Sequence, residues 1–313
     1  MSGLALLAAD LDRTLIYSRA ALALAQEPQP RLRCVELVGA NRLSFMTETA
    51  ATLLAGLVGP AGSAVLVPVT TRSLAQLARV RLPVRTRYAI AANGGYLCVD
   101  GVIEPSWSIR VRQAVREVAS LDEVYQYLSR ACRPEWTVKL RQVESLFCYA
   151  VIERDRLPDG FVDEATGWAA GRGWAVSLQG RKLYWVPLPL TKSAAVAEVA
   201  RRLDANVTLA AGDSLLDIDL LEAADKAIHP GHGELAESGW SAPRVCRTDS
   251  VGVRAGEDIC RWFHEQVAAW LAGIQPDAGI QPGRPGIQPG FQADGGPPPA
   301  VAGERPLRWT LTQ

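Results

Sequence analysis

Neither sign of charge dominates these 313 residues: 33 Lys and Arg stand against 33 Asp and Glu. No global field therefore favours DNA, RNA or an anionic membrane surface as partner. Nor are basic residues interleaved with aromatics in the way single-stranded nucleic acid requires. The six cysteines, Cys34, Cys98, Cys132, Cys148, Cys246 and Cys260, form no C-x-x-C pair and no dense framework. This excludes a disulfide-stapled scaffold and suits reduced thiols in a cytoplasmic protein. No run approaches the ~18 apolar residues of a membrane span. The apolar stretch Leu4 to Ala9 has no basic leader and breaks at Asp10, unlike a secretory signal. Function is expected from local constellations acting on a small molecule.

What is present is ample apolar content, 48%, enough for substantial cores. Three short apolar runs, LALLAADLD, AVLVPVTT and VTLAAGDS, read as buried parallel strands, and each ends in Asp, Thr or Ser. Helical patterns at Thr47 to Val58, Ser73 to Arg79, Lys192 to Leu203 and Leu215 to Ala224 complete an α/β alternation. The expected core is a doubly wound, Rossmann-like parallel sheet, with its ligand crevice beyond the strand C-termini. A hairpin or flap is expected between Leu15 and Ser44. The pattern breaks at 107–189: a helix from Val111 to Ala131, two strands, a helix from Phe161 to Ala170, and two more strands. That order describes a self-contained α+β cap domain inserted into a core of residues 1–106 and 190–272. GIQP recurs three times in the Gly/Pro/Gln-rich segment 273–313, which reads as a disordered tail, with a protein partner as the alternative to a plain flexible extension.

Chemistry concentrates at the strand ends. Asp10 and Asp12 are two apart, so an extended backbone projects both to one side. Such a pair can bind a hard cation or supply a nucleophile and proton donor, while a helix cap plus a turn aspartate is the plainer reading. Thr70, Thr71, Arg72 and Ser73 combine hydroxyls, helix N–H groups and a cation, which suits a phosphate as well as simple capping. Gly212, Asp213, Ser214, Asp217 and Asp219 crowd carboxylates that repel unless a cation compensates. Lys192 opens a helix, where a cation is slightly unfavourable unless an anion lies nearby. His229, His232 and Glu234 lie in a Pro/Gly loop that suits a crevice rim better than a metal site.

Taken in order, D-x-D-x-T-L, a strand-ending Thr, a helix-opening Lys and G-D-S-x-x-D resemble the four motifs of the haloacid dehalogenase superfamily. The insertion resembles its large-cap branch, which includes Cof-type, sucrose-phosphate and mannosyl-3-phosphoglycerate phosphatases. The resemblance covers about residues 4 to 271. It implies that Asp10 is the nucleophile and Asp12 the general acid/base, that Thr70 holds the phosphoryl group, and that Lys192 neutralises it. It implies Mg²⁺ held by Asp10, Asp213, Asp217 and the backbone carbonyl of Asp12. Arg13, Thr71, Arg72, Asn93, Gly94 and Ser214 become substrate-binding candidates, Asn93 and Gly94 because AANGG resembles the family's turn before the cap. The expected activity is hydrolysis of a small phosphorylated metabolite, a sugar or polyol phosphate, with phosphotransfer or low-turnover phospho-ligand binding as alternatives. Three positions depart from the family pattern: Arg13 and Thr71 stand where glycine is usual, and Leu216 where asparagine is frequent. Arg13 either clamps a second substrate anion or, as expected here, pairs with a flap carboxylate such as Glu36.

Overall fold

Strand β1 (Ala5–Ala9) exposes no side chain on either face. Its alternation sends Leu6 and Ala8 into one apolar layer and Ala5, Leu7 and Ala9 into another, as the centre of a covered parallel sheet demands. The computed structural model describes residues 3–24, 28–58 and 63–273. Strands β2 (Tyr17–Ser18), β3 (Leu32–Val38) and β4 (Asn41–Thr47) form a small antiparallel sheet, the flap expected between Leu15 and Ser44. Helix α1 (Glu48–Val58) leads to β5 (Ala64–Pro68) and the single-turn α2 (Leu74–Leu77), which Ser73 and Gln76 close with a capping box. Strands β6 (Tyr88–Ala91), β7 (Tyr96–Val99) and β8 (Val102–Ile103) follow as an antiparallel meander.

A second layer then begins. It comprises α3 (Pro105–Ala114), α4 (Leu121–Ala131), β9 (Thr137–Val143), β10 (Phe147–Ile152), α5 (Phe161–Ala170), β11 (Trp174–Gln179) and β12 (Lys182–Pro187). Its antiparallel sheet runs β11-β12-β10-β9. The chain returns through α6 (Lys192–Leu203), β13 (Val207–Ala211), α7 (Ile218–Ala223), β14 (Lys226–His229), α8 (Glu234–Glu237), β15 (Val245–Arg247) and α9 (Val253–Leu271). The parallel sheet runs β15-β14-β13-β1-β5, so β1 sits between the strands that lead into Thr70 and Asp213.

Two expectations need correction. The helix expected at Val111 to Ala131 is two helices: Pro105 at the first helical position and the Glu104 cap start α3 early, and Ser120 caps α4 after an extended Val118. Leu215 to Asp217 form a 3-10 turn before α7, closed by hydrogen bonds between Ser214 and Asp217. One apolar cluster continues from Leu6 and Ala8 of the parallel sheet through Trp107 and Leu146 to Trp174 and Trp185 of the inserted layer. Among the described residues no helix is long and apolar enough to cross a membrane. The tail expected at 273–313 lies, beyond Gly273, outside the described residues.

Candidate active site

The register of β5, β1 and β13 brings Thr70, Asp10 and Asp213 to the same edge of the sheet. The Asp10 amide donates to the Ala211 carbonyl at 2.9 Å, which ties the first strand end to the third. Asp10, Asp213 and Asp217 are buried, and each offers an oxygen within 4.8 Å of the others. Lys192 is 1% exposed and donates to Asp10 Oδ1 at 2.6 Å and Asp217 Oδ1 at 2.5 Å. It is aimed there by the first turn of α6, where Thr191 caps the helix and Asp219 Oδ2 accepts from the Ser193 amide at 2.8 Å. Asp217 is fixed on its other oxygen by the amides of Asp213 (3.2 Å) and Ser214 (3.0 Å) and by the Ser214 hydroxyl (2.7 Å). Gly212 has no room for a side chain, since a Cβ there would lie 2.4 Å from Asp217 Cγ.

One buried lysine and the partly exposed Arg13, 3.2 Å from Asp213, leave the three buried carboxylates short of positive charge. Burial raises the Asp10 carboxyl, against the pull of Lys192, and Asp217 and Asp12 raise it further. Burial, then Asp10 and Asp217, push Asp213 well above the usual range. Burial disfavours the Lys192 cation, but Asp10 and Asp217 outweigh it and keep the ammonium charged. The site's oxygens and excess negative charge fit a hard divalent cation such as Mg²⁺.

Asp12 lies in different surroundings. Arg72 grips it with Nε and Nη2, both at 2.7 Å, and also pairs through Nη1 with the buried Glu36 at 2.9 Å. Glu36 accepts from the Ser44 hydroxyl at 2.6 Å and pairs with Arg79 at 3.2 Å. Burial alone would raise the Asp12 carboxyl, but the Arg72 hydrogen bonds and charge hold it below the usual range. Two expectations change here. Arg72, expected as an anion-binding group, is bonded to Asp12 and Glu36, and Glu36 belongs to Arg72 and Arg79, not Arg13. Arg13 instead places Nε 3.2 Å from Asp213 Oδ2. Its φ of 64° is left-handed backbone that favours glycine, the residue the resemblance leads one to expect there.

The remaining candidates divide between the site and its scaffold. Buried Thr70 accepts the Arg72 amide on its hydroxyl at 3.2 Å, and Thr71 shares a hydrogen bond with Tyr184. Ser214 supports Asp217, as described. Asn93 donates to the Leu190 carbonyl at 2.8 Å, and Gly94 accepts from Trp107 Nε1 at 2.7 Å. A Cβ on Gly94 would lie 2.0 Å from the Thr191 carbonyl oxygen, so this turn clamps the linker that delivers Lys192. The Asp12 carboxylate is not part of the acidic trio. His232 is a strut: its ring nitrogens meet the Arg13 carbonyl at 2.9 Å and the Gly252 amide at 3.1 Å. Those partners require a neutral ring that accepts at Nδ1, and burial lowers its pKa to about 4. His229 bonds the Pro230 carbonyl at 3.0 Å.

No protein-family profile matches the chain, and no curated protein matches it in sequence. Solved structures do match in shape. Sucrose-phosphatase from Synechocystis, solved with sucrose and phosphate, aligns at TM-score 0.59 and 17% identity over 85% of this chain and 99% of that one. The C-terminal domain of C. albicans trehalose-6-phosphate phosphatase aligns at 0.52 and 13% over 88% and 94%. A sugar phosphatase of haloacid dehalogenase subclass IIB aligns at 0.53 and 12% over 84% and 99%. The chain has the capped haloacid dehalogenase fold.

In this haloacid dehalogenase fold the second layer stands where the cap does, and it supplies residues the sequence reading passed over. Strand β12 places Lys182 and Tyr184 two residues apart on one side. The Lys182 ammonium hydrogen-bonds Tyr184, lies 5.5 Å from the centre of the Tyr149 ring and feels the charge of Asp12. Glu234, on the sheet side, accepts from the cap's Ser177 hydroxyl (2.7 Å) and Leu178 amide (2.9 Å) and from the Leu215 amide (3.0 Å). In return the cap's Glu144 accepts from the Leu74 amide at 2.9 Å. The alternation of K-L-Y-W carried the signal for Lys182 and Tyr184, and the Pro/Gly loop placed Glu234 at the crevice rim; nothing local marked Glu144, whose partner Leu74 lies 70 residues away.

Proposed function

We propose that this chain is a phosphatase that hydrolyses a small phosphorylated metabolite, a sugar or polyol phosphate, through an aspartyl-phosphate on Asp10. The reading rests above all on one observation: three buried carboxylates meet a single buried lysine where three parallel strands end. Such a site is short of positive charge until a divalent cation enters it, and that cation can then offset the charge of a phosphoryl group as well.

Asp10 attacks phosphorus, the bond from phosphorus to the leaving oxygen breaks, and Asp12 supplies that oxygen's proton. Water then attacks the aspartyl-phosphate, Asp12 takes its proton, and phosphate departs with Asp10 restored. The ionised state in which Arg72 holds Asp12 suits the second step; donation in the first requires one arm of that pair to open. Thr70 and Lys192 orient the phosphoryl group and offset its charge. Asp10, Asp213 and Asp217, with the Asp12 carbonyl, are the groups that would hold Mg²⁺, whose charge would offset theirs and that of the phosphoryl oxygens. Cap residues Lys182, Tyr184 and Tyr149 would face the leaving group and shield the reaction from water. The sucrose- and trehalose-6-phosphate phosphatases of the same fold lend support to a sugar phosphate.

The experiment is phosphate release from p-nitrophenyl phosphate and a panel of sugar phosphates, with Mg²⁺. Turnover is expected, falling by ~10³-fold or more in Asp10→Asn. Absence of turnover on every substrate, or an Asp10→Asn variant as active as the parent, would overturn the proposal.

A further inference from the structure

We infer that Arg13 is a resident counterion of Asp213 that a divalent cation must displace, so that this side chain sets how tightly the cation binds. The inference rests on the metal-dependent reading of the site given above.

Two cations serve the acidic trio, and they are held in unlike ways. Lys192 is 1% exposed and hydrogen-bonded to two carboxylates at 2.6 and 2.5 Å. Removing it from that pocket would strand both charges in a medium that screens poorly. Arg13 keeps a side chain 31% exposed, and its Nε lies 3.2 Å from Asp213 Oδ2. That Nε is buried yet makes no aligned hydrogen bond; it compensates charge without being locked by direction. Among the described residues Arg13 is also the only cation in ion-pair contact with Asp213.

The backbone at this position is fixed while the side chain is not. The Arg13 carbonyl is bonded to His232 and its amide to the Ile16 carbonyl, so the left-handed turn stays in place. The guanidinium has an outlet: Nη1 faces Gly180 in the β11–β12 turn, 3.8 Å from where a Cβ would stand. Gly180 thus leaves open space on the cap side. A divalent cation coordinated by Asp213 and the guanidinium paired with it compete for the same negative charge. The loosely held and better solvated group is the one that yields.

The test is a calorimetric titration of the full chain with Mg²⁺ alone, without substrate, on the parent, Arg13→Gln and Arg13→Lys. Arg13→Gln is expected to bind Mg²⁺ on the order of fivefold more tightly, the scale of a partly exposed ion pair, and Arg13→Lys to return towards the parent. Melting temperature supplies a second readout. Without Mg²⁺ the Gln variant melts below the parent, and saturating Mg²⁺ closes or reverses the gap. Equal or weaker Mg²⁺ binding by Arg13→Gln overturns the inference and leaves the phosphatase reading intact. Failure of both parent and variant to bind Mg²⁺ overturns the inference together with the metal's part in the proposed function.

Discussion

The pocket around Asp10 and the flap side around Asp12 begin two residues apart and are governed by opposite charge balances. In the pocket, three buried carboxylates share Lys192 and a loosely held Arg13; negative charge is in excess and carboxyl pKa values rise. On the flap side, Asp12 and Glu36 share the firmly bonded Arg72, with Arg79 and Ser44 in support; carboxyl pKa values fall. One region is built to receive positive charge and the other is already neutralised. Adjacent positions on one strand end can therefore take different chemical roles without differing in residue type.

The comparison breaks most severely at Lys192. Lys192→Met leaves Asp10 and Asp217 buried without their cation, and a loss of ~3–5 kcal/mol in unfolding free energy is expected in denaturant titrations without Mg²⁺. A loss of less than ~1 kcal/mol would mean that the pocket is not short of positive charge after all. Arg72→Met should cost somewhat less, ~2–4 kcal/mol, because Glu36 keeps Arg79 and Ser44. The sign with pH follows from depressed carboxyl pKa values: the stabilisation is present above the unfolded pKa near 4 and disappears as pH falls through the folded values. The gap between parent and Arg72→Met should thus be widest near neutrality and narrow towards pH 3. A gap constant across that range would deny that ionised Asp12 and Glu36 are what Arg72 stabilises.

The smallest expected effect tests the strut beneath both regions. His232 is neutral in the fold, with a pKa lowered from 6.5 to about 4, so the unfolded chain takes up its proton first as pH drops. Stability should fall between pH 6.5 and 4, with His232 contributing ~2 kcal/mol after discounting for its partial exposure. His232→Gln, which can still bond the Arg13 carbonyl, should flatten that slope by about as much, read by melting temperature across the range. An unchanged slope would place the acid sensitivity elsewhere.

Much of this architecture was legible because the decisive signals are local. LALLAADLD, AVLVPVTT and VTLAAGDS announce buried strands whose ends meet, and all three lie side by side in the sheet. Helix α6 runs from Lys192 to Leu203, as its periodicity indicates. The pairing of side chains was less legible because it depends on contacts distant in sequence. Arg72 looked like an anion hook and holds Asp12, 60 residues away. Arg13 was matched to Glu36, yet its left-handed backbone turns it to Asp213. Strand-end spacing placed Asp10 and Asp213, and the resemblance Lys192, at one edge of the sheet, but neither carried information about which cation would answer which carboxylate.

The close approach of Gly94 to Thr191 has a consequence for how such a molecule can diversify. Departure and return of the cap occur at one seam, with Asn93 stitched to Leu190 and Gly94 pressed against Thr191. A segment whose two ends already touch adds little closure entropy to the strands beneath it. An insert of different length or shape could stand on the same seam while the parallel sheet kept its register. The carboxylates at the strand ends are then inherited as one unit, and what they are offered can be rewritten above them.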